Sequence, residues 1–158
     1  MRILSTVLAI LFVIIAFITL PTALVYLNHY FLLPQYNFFI FKILGFLIVN
    51  IGAALCLYCI FIFLISGKGT PVPIDPPKNL VSRGFYRFSR NPMYSGYATI
   101  ILGEFFLLGS ILLLVYSLAA FLFFHLLVVY FEEPRLKRKF GKGYSDYVKK
   151  VRRWLSNL

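Results

Sequence analysis

A run of 39 residues, 93–131, is almost entirely hydrophobic, and it limits the folds open to this chain more than any other feature. As a single α-helix it would be about 58 Å long, at 1.5 Å per residue. One bilayer crossing takes roughly 20 residues, so the run is too long for one crossing and fits two. Gly109-Ser110 is the predicted point of reversal. We therefore expect two membrane helices joined as a tight hairpin.

The composition favours a membrane protein throughout. Of the 158 residues, 61% are hydrophobic and 13% are charged, whereas a soluble domain is nearer half apolar and a quarter charged. We predict an all-α integral membrane protein, a single membrane domain over residues 1–158 with four transmembrane helices. The predicted segments are span 1 at 3–26, span 2 at 38–65, a connector at 66–91, span 3 at 92–109, span 4 at 110–131 and a tail at 132–158.

The connector and the tail differ in kind from the spans. The connector contains four prolines and two glycines between residues 67 and 77, which predicts irregular backbone along the membrane surface. The tail combines basic residues with an apolar repeat at helical spacing, which predicts an amphipathic helix on the interface or against the bundle. The residues of that repeat are Tyr144, Tyr147, Val148, Val151 and Leu155.

The basic residues predict the orientation. In a four-span bundle, fifteen of the sixteen Lys and Arg residues would lie on one side, with Lys42 as the exception. The positive-inside rule makes that side cytoplasmic, so we expect both termini, the connector and the tail there. The net charge of +11 is then a topology signal that favours anionic lipid headgroups, not nucleic acid.

Three polar or reactive residues lie within the second span. Cys56 and Cys59 are one helical turn apart, and no second pair or nearby histidine completes a metal site. We therefore predict that both cysteines are packing residues and that the chain holds no metal. Asn50 is predicted to face another helix, because a polar group within a span usually faces protein.

A basic and aromatic segment leads into the third span. Pro92 suits the first turn of a helix, because its missing N–H would have no intrahelical partner there. Arg90, Tyr94 and Tyr97 then fall at i, i+4 and i+7 on one face, which Glu104 continues. This stripe at the mouth of a bundle predicts a site for a polar ligand. The alternative is a snorkelling arginine beside interfacial tyrosines.

A second polar stripe is predicted on the fourth span. His125 precedes Glu132 by seven residues, so the two should share a face, and Glu133 follows at the helix end. The hairpin would bring the stripes together and place Arg90 beside Glu132. Two alternatives stay open: a buried hydrogen bond between Glu104 and His125 that only holds the hairpin, and a solvated cap formed by the two adjacent glutamates.

An ordered set of residues within 67–155 resembles the isoprenylcysteine carboxyl methyltransferase and phospholipid methyltransferase superfamily. The usual signature of that superfamily is R-H-P-x-Y-x-G followed by E-E on the next helix. The resemblance is carried by Arg90-Asn91-Pro92-Met93-Tyr94-Ser95-Gly96, Glu132-Glu133, Leu136, Phe140-Gly141, Tyr144, Tyr147 and Arg153-Trp154, with Pro76-Pro77, Leu80-Val81 and Gly84-x-Tyr86 upstream. Asn91 departs from the histidine of the eukaryotic enzymes, and an amide cannot act as a base near neutral pH.

The resemblance implies methyl transfer from S-adenosylmethionine to a lipid-borne acceptor. The ammonium and carboxylate of that cofactor suit a glutamate and an arginine, and tyrosine faces can hold its sulfonium cation. On this basis Arg90 and Glu132 are the expected catalytic residues. The expected cofactor-binding residues are Tyr86, Arg90, Asn91, Tyr94, Tyr97, His125, Glu132 and Glu133.

The residues leave the acceptor open between an isoprenylcysteine carboxylate, a phospholipid amine and another membrane amphiphile or small thiol. A carboxylate would want a second cation such as Arg83 or Arg87, and an amine would want a base. Two other functions also stay open: a reductase using NADPH, related to membrane sterol reductases, and a non-enzymatic protein that binds anionic lipid or a partner. Nothing in the sequence indicates an obligate protein partner.

Overall fold

The computed structural model describes residues 2–67 and 79–154, and its described part is helical. Apart from one isolated bridge between Gln35 and Ser110, those residues form no β-structure, which confirms the predicted all-α class. The prolines of the predicted connector lie outside the described residues. The helices are α1 (Arg2–Ile14), α2 (Leu20–Tyr30), α3 (Phe39–Ile62), α4 (Pro92–Leu108), α5 (Ile111–Leu127) and α6 (Glu133–Lys150).

Three helical stretches are long and apolar enough to cross a membrane, and they make this an integral membrane protein. They are Ile10–Tyr30, Phe39–Ile62 and Ile111–Lys150. The α4 helix has 17 residues and is therefore about 25 Å long, slightly shorter than a typical span. Four crossings, with α4 as one of them, stay a prediction.

A π-helical turn, Ile15–Thr19, joins α1 to α2. Leu20 N–H bonds to Ile15 O in this turn, and Pro21 has no N–H to offer. The carbonyl of Ala16 is therefore available to another group. The hydroxyl of Tyr116 on α5 donates to it at 3.0 Å. The irregular turn thus attaches the first helix to the hairpin.

The α4 helix packs antiparallel on α3 through glycines, a contact that the sequence analysis did not predict. Gly45 and Gly52 lie on α3, seven residues apart, and meet Gly103 and Gly96 of α4 at the same spacing. A Cβ added at Gly52 would lie 2.9 Å from the carbonyl oxygen of Gly96, and one added at Gly103 would lie 2.8 Å from the backbone nitrogen of Val49. The two backbones can approach this closely only because these side chains are absent.

The packing of α4 on one face of α3 decides which of the three polar or reactive residues of α3 are buried. Cys56 and Cys59 are buried on the same helix as Gly52, with both thiols free, and act as packing residues. Asn50 is exposed, and its Nδ2 donates to Phe46 O of its own helix at 2.7 Å. The prediction that Asn50 faces another helix of the chain was wrong, because the glycines set which face of α3 is covered.

Gly109 and Ser110 alone connect α4 to α5, so the two helices form a hairpin. Gly109 ends α4 in the left-handed conformation, with φ 69°. Asn28, only 1% exposed, accepts a hydrogen bond from Leu112 N–H at 3.3 Å and donates to Leu33 O at 3.2 Å. These bonds tie α2 to the start of α5 and close one end of the bundle. The polar residues of the candidate site lie at the other end.

Candidate active site

The first contact of the site joins the start of α4 to the end of the π-helical turn Val128–Glu132, which follows α5. Tyr94 lies in the first turn of α4, after Pro92, and its hydroxyl donates a short hydrogen bond to Glu132 Oε1. The hairpin therefore brings the two predicted polar stripes together at this point. Tyr94 and Glu132 are both partly buried, so the bond is shielded from water.

Glu133 forms ion pairs with two arginines from different segments. Arg90 Nη1 lies 3.1 Å from Glu133 Oε1, and Arg153 binds the same carboxylate through Nε at 2.7 Å and Nη2 at 3.0 Å. The sequence analysis placed Arg90 beside Glu132, whereas the ion pair of Arg90 is with the next residue, Glu133. The π-helical turn before Glu133 accommodates an extra residue, and each residue turns a helix by about 100°, so α-helical spacing misplaced this pair.

Arg90 is a buried cation with unused hydrogen-bonding capacity. Its side chain is 9% exposed, and within the described part of the chain its Nε has no hydrogen-bond partner. Arg153 is more exposed, and its bidentate bond to Glu133 raises the pKa of its guanidinium. A buried donor without a partner is costly, so Arg90 is suited to receive an anionic group of a ligand.

Residues 151–154, here named the C-terminal segment, dock on the residues before α4. Arg90 N–H donates to Arg152 O at 3.0 Å. Ser89 Oγ and Asn91 Nδ2 both donate to Arg153 O, each at 3.1 Å. Asn91 therefore holds the C-terminal segment in place, because its amide nitrogen can donate a hydrogen bond to a backbone carbonyl.

The docking of this segment ends the last helix. The apolar repeat predicted a helix continuing to Leu155, which lies outside the described residues, but α6 ends at Lys150. Val151 is extended, with φ −123° and ψ 128°. Extended backbone directs the next carbonyls to the segment before α4 and away from a helical turn. Gly141, with φ 52° and ψ −121°, also bends α6 near its middle.

The tail tyrosines pack against the same segment. Tyr147 donates through its hydroxyl to Tyr86 O at 2.6 Å, and the phenol of Tyr144 faces Arg90. Tyr86 is itself buried beside Phe63, with ring centroids 6.1 Å apart. Burial raises the pKa of Tyr86, so its phenol stays neutral at physiological pH. The side chain of Tyr86 packs in a buried cluster with Cys59, Val81 and Met93.

His125 meets the C-terminal segment and not Glu104. The indole of Trp154 donates from Nε1 to His125 Nδ1 at 3.1 Å, and the two rings are stacked. Glu104 is buried near Tyr116, and its Oε2 has no hydrogen-bond partner in the described residues. The alternative of a Glu104–His125 bond is wrong, because Glu104 lies only five residues before Gly109 and faces the part of α5 near the turn.

An aromatic wall lies beside the polar groups. The ring of Phe124 lies 5.1 Å from that of Tyr94 and 6.0 Å from that of Tyr97. Tyr97 also contacts Phe12 at 5.8 Å and Phe17 at 5.6 Å, so it packs toward the first helices. The aromatic faces would provide favourable contacts for a cation held near Glu132.

The sequence analysis missed the roles of three residues in this cluster. Arg153 is a partner of Glu133, Trp154 bonds His125, and Ser89 anchors the C-terminal segment. Arg153-Trp154 belonged to the family resemblance, so that motif was the available signal for two of them. Within the described residues, no group of three or more His, Cys, Asp or Glu side chains could hold a metal ion.

The helical fold and the buried polar cluster define an integral membrane protein with a candidate ligand site at one end of its bundle. A sequence model described as phospholipid methyltransferase matches residues 40–143, and the chain belongs to that family. The prediction of this superfamily is thereby confirmed. No curated protein and no solved structure matches the chain.

The family match includes both halves of the site and extends beyond the predicted resemblance at one end. It contains Arg90 and Tyr94 at the start of α4 and the adjacent Glu132 and Glu133. It also begins at residue 40 and so includes nearly all of α3, which precedes the residues of the predicted resemblance. The protein is therefore a membrane methyltransferase in general terms.

Proposed function

We propose that this protein transfers a methyl group from S-adenosylmethionine to a lipid-borne acceptor, at the end of the bundle where α4 begins. The observation that carries the proposal is the meeting of the two family motifs. Tyr94 bonds Glu132, and Arg90 pairs with Glu133, so the R-N-P-x-Y and E-E residues form one buried polar cluster.

The residues of the cluster fit the charges of the cofactor. S-adenosylmethionine, when bound, supplies an electrophilic methyl group on a sulfonium and carries an ammonium and a carboxylate. We assign the carboxylate to Arg90, whose buried Nε has no partner in the described part of the chain. We assign the ammonium or the ribose hydroxyls to Glu132, since charge-assisted hydrogen bonds to a carboxylate are strong.

The neighbouring residues would shape and shield the pocket. The rings of Tyr94, Tyr97 and Phe124 provide aromatic faces for the sulfonium charge. Tyr86, His125 and the C-terminal segment would enclose the cofactor and exclude water. Methyl transfer depends mainly on alignment, so the contribution of these residues is positioning in a desolvated site.

The acceptor would reach this site from the membrane. We propose four crossings that place the site, both termini and the basic tail on the cytoplasmic side, where a soluble cofactor is available. The lipid class is proposed as a phospholipid amine or an isoprenylcysteine-like carboxylate. For a carboxylate, exposed Arg83 or Arg87 next to the site could supply a further cation.

Methyl transfer with an isotopically labelled methyl donor tests the proposal. The purified protein is placed in nanodiscs with phosphatidylethanolamine, or with an added isoprenylcysteine analogue, and lipid-soluble label is measured. We expect label in one of these lipid fractions. In a separate assay with NADPH and a sterol analogue, we expect no reduction of the sterol. If labelled donor neither binds nor yields labelled lipid, while NADPH is oxidised, the protein is not the proposed methyltransferase.

A further inference from the structure

We propose that two copies of this chain pair in the membrane through the outer face of α3, around a reciprocal hydrogen bond between their Asn50 side chains. The face is formed by six exposed residues, here named the α3 seam. They are Ile43, Leu47, Asn50, Ala54, Leu57 and Phe61. The proposal concerns assembly and does not depend on the methyl transfer proposed above.

The α3 seam has the spacing of a coiled-coil interface. Its residues follow one another at alternating intervals of four and three, which keeps them on one stripe of a helix that packs against a nearly parallel partner. The glycines that receive α4 lie on the other side of α3. The chain's own hairpin therefore uses one face of α3, and among the described residues the seam is left exposed.

Asn50 places a polar side chain on this stripe, where contact with lipid alone would leave part of its hydrogen-bonding capacity unused. Eleven residues of α3 precede it and twelve follow, so it lies at the centre of a span of Phe39–Ile62. Hydrocarbon offers no hydrogen-bond partner to a polar group at that depth. The bond from Nδ2 to Phe46 O uses one of the two amide hydrogens. The second amide hydrogen and the Oδ1 lone pairs could bind a partner.

A second copy of the chain fits this site by symmetry. Two copies inserted in the same orientation are related by a twofold axis along the membrane normal, so the same residues face each other across it. Each Asn50 then lies opposite the other, where the Nδ2 of one can donate to the Oδ1 of its partner in both directions. Ala54, one turn away, is small enough to let the two helices approach closely.

The test measures association in a bilayer by single-molecule photobleaching over a range of protein-to-lipid ratios. We expect dimers for the natural chain, and a dissociation constant roughly threefold to thirtyfold weaker for Asn50→Leu, from about 0.6–2 kcal/mol per membrane hydrogen-bonded pair. Asn50→Gln, which keeps the amide, should associate as the natural chain does. Leu57→Ala, in the seam, should weaken it, whereas Leu122→Ala, on the exposed face of α5, should not.

Crosslinking locates the contact. Under mild oxidation, Leu57→Cys should form a disulfide between two copies, and Leu122→Cys should not. Monomers at every ratio, dimers unaffected by Asn50→Leu in a variant with unchanged thermal stability, or crosslinking at residue 122 only would each overturn the proposal. Association with a different membrane protein at the seam, with no self-association, would also overturn it.

Discussion

At the residue scale, the two adjacent glutamates have different surroundings. Glu133 is neutralised by Arg90 and Arg153, whose ion pairs tie the C-terminal segment to the start of α4. Glu132 accepts the hydroxyl of Tyr94 and lies near the charge of Arg135. Glu133 is therefore positioned to hold the site together, and Glu132 is the carboxylate with acceptor capacity for a ligand.

Replacing Glu133 should reveal this structural role. Glu133→Gln removes the charge that Arg90 and Arg153 share, and we expect a stability loss of about 1.5–3 kcal/mol, the range for hydrogen bonds to charged groups. A lower midpoint of thermal unfolding and faster proteolysis of the C-terminal segment are expected. Asp146→Asn is the matched control, because Asp146 pairs with Lys149 at an exposed position. Equal behaviour of the two variants would contradict the assignment.

The same residues show how far the sequence could predict the site. Pro92 and the spacing of Arg90 and Tyr94 were sufficient to predict a polar face at the start of α4, and the hairpin was sufficient to bring the glutamates to it. Which glutamate meets Arg90 could not be predicted, because a π-helical turn changes the register by one residue. The apolar sequence of that turn, Val128 to Phe131, resembles the helix before it and carries no signal for the change.

At the element scale, the contact between α3 and α4 determines where the site can form. The start of α4 is held in place by the glycine contact along its length, and α5 returns Glu132 to the same end. The repeated seven-residue spacing of glycines on both helices was a signal for this contact in the sequence. The glycines lie within apolar runs, so hydrophobicity alone predicts the helices and not the contact between them.

A methyl group at this contact should separate the helices. In Gly52→Ala, the added Cβ would lie 2.8 Å from Ile100 Cγ1 and 2.9 Å from Gly96 O, so the α4 backbone must move. We expect a lower unfolding temperature in detergent and weaker cofactor binding. Gly143→Ala is the control, since nothing lies within 4 Å of its added Cβ. If Gly52→Ala is as stable as the control, the backbones of α3 and α4 are not in close contact at Gly52.

The ends of elements were harder to predict than their existence. Gly109-Ser110 marked the reversal, because a glycine supplies the left-handed conformation that ends α4. The end of α6 at Lys150 was missed, although its amphipathic pattern was recognised. Periodicity reports which face is apolar, but here the bonds from Ser89, Arg90 and Asn91 to the tail carbonyls decide where the helix stops.

At the scale of the whole molecule, the bundle has two unlike ends. One end is closed by Asn28 and the loop before α3, and the other holds the arginines, the glutamates and the basic tail. We expect the second end to face the cytoplasm. In cells, a cysteine introduced at Gln35 should react with an impermeant reagent from outside, and one at Lys142 only after permeabilisation. The opposite pattern would contradict both the orientation and the route proposed for the cofactor.

The affinity of S-adenosylmethionine for folded Glu132→Gln protein tests the central claim most directly. The glutamine can still accept the hydroxyl of Tyr94, so the change removes charge and retains shape. We expect calorimetry to show binding by the natural chain and by Asp146→Asn, and a roughly 10- to 150-fold loss in Glu132→Gln, from about 1.5–3 kcal/mol. Unchanged affinity in monodisperse Glu132→Gln protein would contradict the claim that this carboxylate holds the cofactor.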